Sequence, residues 1–354
     1  MLPFLTKKKD VIGLDIGSNS IKLVQLAKVK KGYRLVKLGV IQLPPEAIVD
    51  GSIIDSMTVT NAIKELLAQQ GTKVKDAVSA FTGHSVIIKK VALSAMTEDE
   101  LADSIQWEAE QYIPFPIADV NIDFQILGYD TEGKGQMDVI LVAVKKDMIN
   151  DYVNVIKEAG LNPVVIDVDS FALENMFEAN YPVAPTDNIA VVNIGAAVTS
   201  INILKGGVTA FTRAVTIGGN FFTEEIQKLL NISFKDAETL KIEGTVKDVD
   251  ISAVQPVIDK VCGNIALEIK RSIDFYLGGM PGDYVTKIYL SGGCSKMKGL
   301  LNIIQERTAL PVEIINPFSA VEFNQKVFDP DYIAGVSPVF AVAAGLAMRR
   351  AGDR

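Results

Sequence analysis

The chain has 354 residues, a formal net charge of −8, 48% hydrophobic residues and 22% charged residues. A chain of this length is expected to form two or three packed units, and its composition is typical of a folded protein rather than a disordered one. The acidic balance, and the lack of a Lys/Arg-rich stripe interleaved with aromatic residues, exclude a broad nucleic-acid footprint, so we expect no nucleic-acid partner.

The N-terminal segment, the lengths of the apolar stretches and the cysteine spacing favour a cytosolic protein. Residues 1–9 are apolar and then basic, but the apolar part is too short for a signal peptide. They are predicted to form a flexible tail, and weak contact with an anionic membrane surface is the alternative. No stretch approaches the ~20 apolar residues that span a bilayer. Cys262 and Cys294 are not spaced as a redox pair, which favours a reduced compartment. The single histidine, His84, lies in a predicted strand-end turn and is expected to be structural.

Residues 11–26 predict two strands joined by a polar turn. Apolar residues alternate on both sides of the turn, Asp15 ends the first strand, and Gly17 is expected to adopt a backbone conformation closed to other residues. Successive N–H groups in such a turn can bind phosphate oxygens, and a strand-end carboxylate can hold a hydrated Mg²⁺. An ordinary hairpin is the alternative to nucleotide binding at this point.

The next part of the chain predicts a small α+β unit. A helix over 60–70 and strands over 77–81 and 86–91 lead to a boundary near Gly83. Thr97 and Glu100 form a capping box that begins a helix, which carries Trp107, expected in the core or an interface, and ends before Pro114. Strands over 121–129 and 137–144 and a helix over 147–159 follow.

The phosphate-binding pattern returns in residues 189–204. Asn193 stands where Asp15 does and Gly195 where Gly17 does, at the same offset of 193 − 15 = 195 − 17 = 178 residues. A second strand pair follows each copy, over 33–41 and 208–217. The chain is therefore predicted to consist of two related halves whose hairpins clamp a triphosphate from both sides.

The second half contains further predicted elements. Residues 288–300 are a strand, a double-glycine turn and a helix, an arrangement that suits close backbone approach to a ligand. The other predictions are a strand over 164–168, helices over 170–178, 221–230, 234–241 and 254–277, a solvated acidic loop over 243–250, a strand over 312–315, and a closing helix over 336–350 whose small residues permit close packing.

This ordered set of motifs resembles the phosphate-1, phosphate-2 and adenosine motifs of the actin-like ATPase superfamily. Within it, residues 218–220 followed by 236–241 are similar to a segment of the FtsA/PilM branch, and residues 107–116 are similar to PilM proteins in particular. The resemblance implies an α/β, actin-like ATPase fold of two ribonuclease-H-like lobes with an inserted FtsA-type α+β subdomain.

The resemblance also implies a division of the chain into subdomains. The first lobe core (1A) is predicted at 1–83, completed by 161–186 and 330–354, and the inserted subdomain (1C) at 84–160. The second lobe core (2A) is predicted at 187–222, completed by 270–329, and its small subdomain (2B) at 223–269.

ATP and Mg²⁺ are the cofactors that the resemblance implies, with Asp15 organising the metal through water. Glu268 and Arg271 are carried over as residues that face the adenine and ribose, and an exposed i,i+3 charge pair is the alternative. The other candidate nucleotide-binding residues are Gly17, Ser18, Asn19 and Lys22 in the first hairpin, Asn193, Gly195, Ala196 and Ala197 in the second, Gly219, and Gly292, Gly293, Lys296 and Met297 around the adenosine. No catalytic residue is assigned, and neutral Asn193 predicts weak or no ATPase activity because it can neither act as a base nor balance Mg²⁺ charge.

The function that the resemblance implies is a cytoplasmic ATP-binding assembly protein of the type IV pilus inner-membrane platform. Its expected partners are the N-terminal cytoplasmic tail of PilN and other proteins of that complex, and it is expected to be peripheral to the inner membrane through its partner. The end of the chain at Arg354, without an amphipathic helix, favours the PilM side over FtsA. A type II secretion role, an FtsA-like filament former and a small-molecule kinase remain alternatives, although no Asp-bearing acceptor motif stands out for a kinase.

Overall fold

A computed structural model describes most of the chain. It covers residues 10–81, 86–129, 135–246, 249–280 and 282–353. The tail at 1–9, the predicted boundary at Gly83 and the structural role predicted for His84 lie outside these described residues.

Two central sheets and one smaller sheet contain most of the strands. The strands are β1 (Ile12–Ile16), β2 (Ser20–Lys28), β3 (Tyr33–Gln42), β4 (Ile48–Val49), β5 (Ser52–Ile53), β6 (Asp76–Phe81), β7 (Val86–Ser94), β8 (Val120–Tyr129), β9 (Gln136–Lys145), β10 (Asn162–Val168), β11 (Asn188–Ile194), β12 (Thr199–Lys205), β13 (Val208–Val215), β14 (Thr245–Val246), β15 (Val249–Asp250), β16 (Lys287–Ser291), β17 (Val312–Ile314) and β18 (Val321–Glu322).

Helices pack on these sheets and between them. The α-helices are α1 (Ser56–Gln70), α2 (Glu98–Glu110), α3 (Lys146–Glu158), α4 (Asp169–Asn180), α5 (Gly219–Leu230), α6 (Phe234–Glu243), α7 (Gln255–Gly279), α8 (Leu300–Thr308), α9 (Pro330–Val336) and α10 (Ala341–Met348). Short 3₁₀ helices lie at Ile117–Asp119, Ile251–Val254, Gly293–Lys296 and Ser337–Phe340.

The two central sheets repeat one topology, as the duplicated motif predicts. The first has the order β10-β6-β1-β2-β3-β18 and the second the order β13-β12-β11-β16-β17. In each, the strand that carries the motif pairs antiparallel with the next strand in the chain and parallel with a later one: β1 with β2 and β6, and β11 with β12 and β16. The carboxyl ends of β1 and β11 therefore occupy equivalent positions in the two lobes.

Helices α4 and α10 form the layer between the two sheets. Their side chains share one hydrophobic cluster with residues of both sheets, including Val24 of β2 and Val191 of β11. Every residue of α10 is buried. A Cβ atom added at Gly345 would lie 1.7 Å from the carbonyl oxygen of Ala172, and one added at Gly13 would lie 2.1 Å from that of Ala343. The small residues of the closing helix thus permit backbone-to-backbone packing, as the sequence predicts.

The closing segment corrects two predictions. The predicted helix over 336–350 is in fact α9, a 3₁₀ turn at Ser337–Phe340 and α10. Pro330–Met348 is also long and apolar enough to cross a membrane by length and composition, whereas no such stretch was expected. However, 67% of its apolar window is buried inside the protein. Its apolar character is explained by its place between the two sheets.

The inserted unit is a three-stranded sheet, in the order β7-β9-β8, covered by α2. The capping box is confirmed, because the Thr97 hydroxyl accepts the Glu100 N–H and the Glu100 carboxylate accepts the Thr97 N–H. Trp107 is 79% exposed and therefore does not lie in the core. The next helix, α3, buries Tyr152 and Ile156 in the core of the first lobe rather than against this sheet. Packing places α3 with the first lobe, and the predicted division into subdomains stays a prediction.

Two other predictions differ from the structure. The helix predicted at 60–70 begins at Ser56, because the Asp55 carboxylate accepts the Thr58 N–H and caps it earlier. Within the acidic stretch 243–250, predicted as a loop, β14 and β15 pair as a short hairpin.

The contact between α4 and α10 generates a stability prediction. Gly345→Ala should lower the free energy of unfolding by about 3 kcal/mol, because its methyl group overlaps the Ala172 carbonyl and the two helices must separate. Gly263→Ala is the matched control, because Gly263 is also helical and has no heavy atom within 4 Å of an added Cβ. This variant should be slightly more stable than the wild type, by up to about 1 kcal/mol. Urea unfolding measures both. Equal midpoints for the two variants would contradict the proposed close contact.

Candidate nucleotide-binding site

The first hairpin positions a carboxylate and an ammonium beside a tight turn. Asp15 on β1 is opposite Lys22 on β2, and the Lys22 Nζ lies 3.2 Å from the Asp15 Oδ2, with each side chain 14% exposed. The Gly17 N–H donates to the Ser20 carbonyl at 3.2 Å and closes the turn. Gly17 does not have a positive φ, so the predicted special backbone conformation was wrong. An added Cβ would lie 3.0 Å from the Lys22 Nζ and 3.3 Å from the Ser20 carbonyl oxygen, so the turn is tight at this position.

The second hairpin has the same turn and is bound to the start of α5. The Gly195 N–H donates to the Val198 carbonyl at 2.9 Å. The carbonyls of Gly195 and Ala196 accept the N–H groups of Gly219 and Asn220, at 2.9 and 2.7 Å. These two hydrogen bonds hold the second turn against the N-terminus of α5.

Both turns carry backbone donors that fit a phosphate group. Across the described ranges, the N–H groups of Ser18, Asn19, Ala196 and Ala197 donate to no other protein group, and all four residues are only partly buried. Successive free N–H groups of this kind bind anions. One strand-end carboxylate also suits Mg²⁺, which takes few protein ligands and completes its shell with water and substrate phosphates. No group of three or more potential metal ligands occurs among the residues that the structure describes.

The double-glycine turn after β16 lies beside Asn193. Gly292 has a φ of +86°, and an added Cβ would lie 2.3 Å from the Ile194 carbonyl oxygen. The Ser291 hydroxyl donates to the Asn193 Oδ1 at 3.2 Å. Gly293 faces open space, whereas the Lys296 Nζ donates to the Gly335 carbonyl and thereby ties the turn to α9. Met297 is partly buried against the second-lobe core.

Asp169, which the sequence analysis did not single out, borders the first hairpin without being part of its turn. It occupies the first turn of α4, and the Ser200 hydroxyl donates to its Oδ2 at 2.6 Å, which links the first lobe to the second hairpin. Burial raises the pKa of Asp169 to about 6, and the nearby charge of Asp15 acts in the same direction. The available signal was its place directly after β10, since β10, β6 and β1 run parallel and end at one edge of the sheet.

Lys241 and Glu238 on α6 also lie at this site. The Lys241 Nζ donates to the Gly219 carbonyl at 3.0 Å and to the Glu238 carboxylate at 2.5 Å, and its side chain is 8% exposed. A Cβ added at Gly219 would lie 2.7 Å from the Cys294 Sγ, so these charges border the turn at Gly293–Lys296. Both residues lie in the stretch 236–241, which the resemblance singled out without assigning them a role.

Glu268 and Arg271 on α7 are held in an ion-pair network that includes a strand of the second sheet. The Glu268 carboxylate pairs with Arg271 at 2.7 Å and with Arg213 of β13 at 3.2 Å. In the second sheet, β12 and β11 separate β13 from β16, which leads into the double-glycine turn. The role carried over to Glu268 and Arg271 at the adenine and ribose therefore stays a prediction, with an i,i+3 charge pair as its alternative.

Solved structures of other proteins have the same two-lobed fold. The solved structure of a PilM–PilN type IV pilus biogenesis complex is 30% identical to the chain, covers 98% of it and 100% of its own chain, and superposes with a TM-score of 0.88. MreB5 of Spiroplasma citri bound to AMPPNP is 15% identical, with coverage of 95% and 94% and a TM-score of 0.53, a likeness of fold alone.

Sequence relatives include FtsA proteins. Cell division protein FtsA of Bacillus subtilis (strain 168) is 21% identical over an alignment 384 residues long, gaps included. The alignment covers 95% of this chain and 82% of FtsA. The family model for type IV pilus assembly protein PilM matches residues 13–351. The chain has the actin-like fold and belongs to the type IV pilus assembly protein PilM family.

Proposed function

We propose that this chain is a cytoplasmic, ATP-binding assembly protein of a type IV pilus inner-membrane platform, held at the membrane by the N-terminal cytoplasmic segment of PilN. The observation that carries the proposal is the likeness to PilM of the PilM–PilN complex, which extends over 98% of this chain. The family match over residues 13–351 supports the same assignment.

Mg–ATP is the proposed ligand of the two hairpins. The N–H groups of Ser18, Asn19, Ala196 and Ala197 would bind its phosphate oxygens, Asp15 would hold the metal through water, and Lys22 would offset phosphate charge. Bound Mg²⁺ would neutralise the phosphates. Gly293, with open space around it, would allow the nucleoside to approach, and Glu238 and Lys241 would border the ribose.

PilN is proposed to bind beside the inserted sheet. A groove of about 610 Å³ lies between that sheet and β13 of the second lobe. It is lined by residues of β7, β8 and β9, among them Ala92 and Asp138, and by Val208–Ala210. β7 is an edge strand of its sheet, and so is β13, and edges of this kind bind extended peptides.

The relatives support one second candidate, an FtsA-like filament former, because FtsA proteins match 93–95% of the chain at 21–22% identity. The family match favours the pilus role. ATP-dependent sedimentation of the purified protein would favour the filament instead.

The nucleotide proposal predicts that Asp15→Ala weakens Mg–ATP binding by a few kcal/mol, or more than about tenfold, and leaves the fold intact. The reason is that the carboxylate is partly exposed and acts on the metal rather than in the core. Isothermal titration with and without Mg²⁺ is the measurement. The wild type should gain affinity when Mg²⁺ is added and the variant should not, and an unchanged Mg²⁺ response would remove Asp15 from the site.

Hydrolysis should be slow, because Asn193 is neutral and can neither accept a proton nor balance Mg²⁺ charge. We expect steady-state turnover well below about one per second, at the low end of ordinary enzymes, and a faster rate for Asn193→Asp. The substitution is nearly isosteric, and a carboxylate oxygen can still accept the Ser291 hydroxyl. A phosphate-release assay that finds wild-type turnover above that rate, or no gain in the variant, would count against this role.

The partner proposal predicts that Ala92→Trp weakens PilN binding by about tenfold or more, because the indole fills the groove. Lys89→Trp is the matched control, since Lys89 is exposed on the same strand and does not line the groove. Fluorescence polarisation of a synthetic N-terminal PilN peptide, labelled at its carboxyl end, is the measurement. Equal affinity of the wild type and Ala92→Trp would place the partner elsewhere.

A further inference from the structure

A second, smaller cavity lies further along the same two strands. It has a volume of about 200 Å³ and lies between Val86–Ile88 of β7 and Thr212–Ala214 of β13. The larger groove contacts β7 at Lys90 and Ala92 and β13 at Val208–Ala210, so the two strands run antiparallel past both spaces. Along β7, the contacts with the larger groove and those with the smaller cavity are about four residues of extended chain apart, or ~13 Å. An extended peptide in the groove can therefore reach the smaller cavity with one end.

The smaller cavity is apolar on one side and polar on the other. Val86, Ile88 and Ala214 contribute the apolar side. Asp169 and Ser170 contribute the polar side, where they are 4% and 1% exposed. The Ser170 Oγ is buried and has no hydrogen-bond partner in the described chain. A ligand with a polar end and an apolar side chain matches both sides.

Asp169 has no cationic partner among the described residues. Its carboxylate accepts from the Ser200 hydroxyl at 2.6 Å, whereas the other buried aspartate of this region, Asp167, is paired with the Arg349 guanidinium at 3.1 Å. Arg213 also borders the cavity, but its guanidinium is held by Glu268 and by the Ser272 hydroxyl on α7. A buried carboxylate is costly unless it is paired, so this cavity favours a cation.

We propose that the smaller cavity captures the free α-ammonium group of the partner peptide, with Asp169 as its counter-ion and the first side chain against Val86 and Ile88. This inference rests on the proposed function, because a cytoplasmic N-terminal segment presents a free amino end. It goes further by naming the chemical group that is read and the residue that reads it. Residues of both lobes line the cavity, and Asp169 lies near Asp15 of the first hairpin. The peptide end would therefore also lie beside the hydrogen bond between Asp169 and Ser200 of the second hairpin.

The test compares two peptides on the wild type and on two variants of the smaller cavity. A synthetic N-terminal PilN peptide is prepared with a free amino end and with an N-acetyl group, each labelled at the carboxyl end. Fluorescence polarisation at about pH 7, where a peptide amine is mostly protonated, measures binding to the full-length wild type and to Asp169→Asn. The substitution keeps the shape and the acceptor for Ser200, and it removes only the charge. Circular dichroism checks that the variant folds.

Wild-type protein should bind the free peptide at least about tenfold more tightly than the acetylated one, as expected for a charge-assisted pair. Asp169→Asn should bind both equally. Ser170→Ala, which removes a neutral hydroxyl from the same cavity, should keep the preference. Equal binding of the two peptides to wild type would overturn the inference and leave the proposed function standing, and so would a preference that persists in Asp169→Asn. Binding of neither peptide to wild type would overturn both.

Discussion

The structure depends on the backbone contact between α4 and α10. These helices cross so closely that only a glycine at 345 leaves room for the Ala172 carbonyl, and α10 in turn lies against Gly13 of β1. Such contacts leave little freedom for the angle or register of the helices, because a shift of either one opens a void or creates an overlap. The start of α4, with Asp169, is thereby fixed relative to β1, with Asp15.

α4 also determines how the second lobe meets the first. From its first turn to its middle it makes polar contacts with β12 and β13: Ser200 donates to Asp169, the Asn202 amide donates to the Ser170 carbonyl, and the Thr209 N–H donates to Glu174. These bonds are buried or partly buried, so breaking them leaves unpaired polar groups. A single helix therefore connects the second hairpin, the smaller cavity and the edge strand β13.

The sequence predicted what local pattern encodes. The duplicated hairpins, the capping box at Thr97 and the small residues of the closing helix are patterns of neighbouring residues, and the structure bears them out. Contacts between residues of distant segments were harder to predict from the sequence. Lys241 meets Gly219 only because α6 folds back on α5, and Glu268, an apparent match by spacing, points its charge toward Arg213. The backbone conformation predicted for Gly17 was also wrong, because a glycine in a sequence does not by itself reveal its φ.

The placement of the groove between the lobes has a thermodynamic consequence. Its walls come from the inserted sheet and from β13, and the nucleotide candidates are likewise divided between the two hairpins. A ligand that holds the lobes in one arrangement changes the affinity of the other ligand by its own differential affinity for the two arrangements, and the effect is reciprocal. Slow hydrolysis at Asn193 would suit such a device, because a retained nucleotide keeps the lobes in one state. Under the proposed function, the energy of turnover would then be unnecessary, and a bound nucleotide would act as a structural ligand that changes the affinity for the peptide.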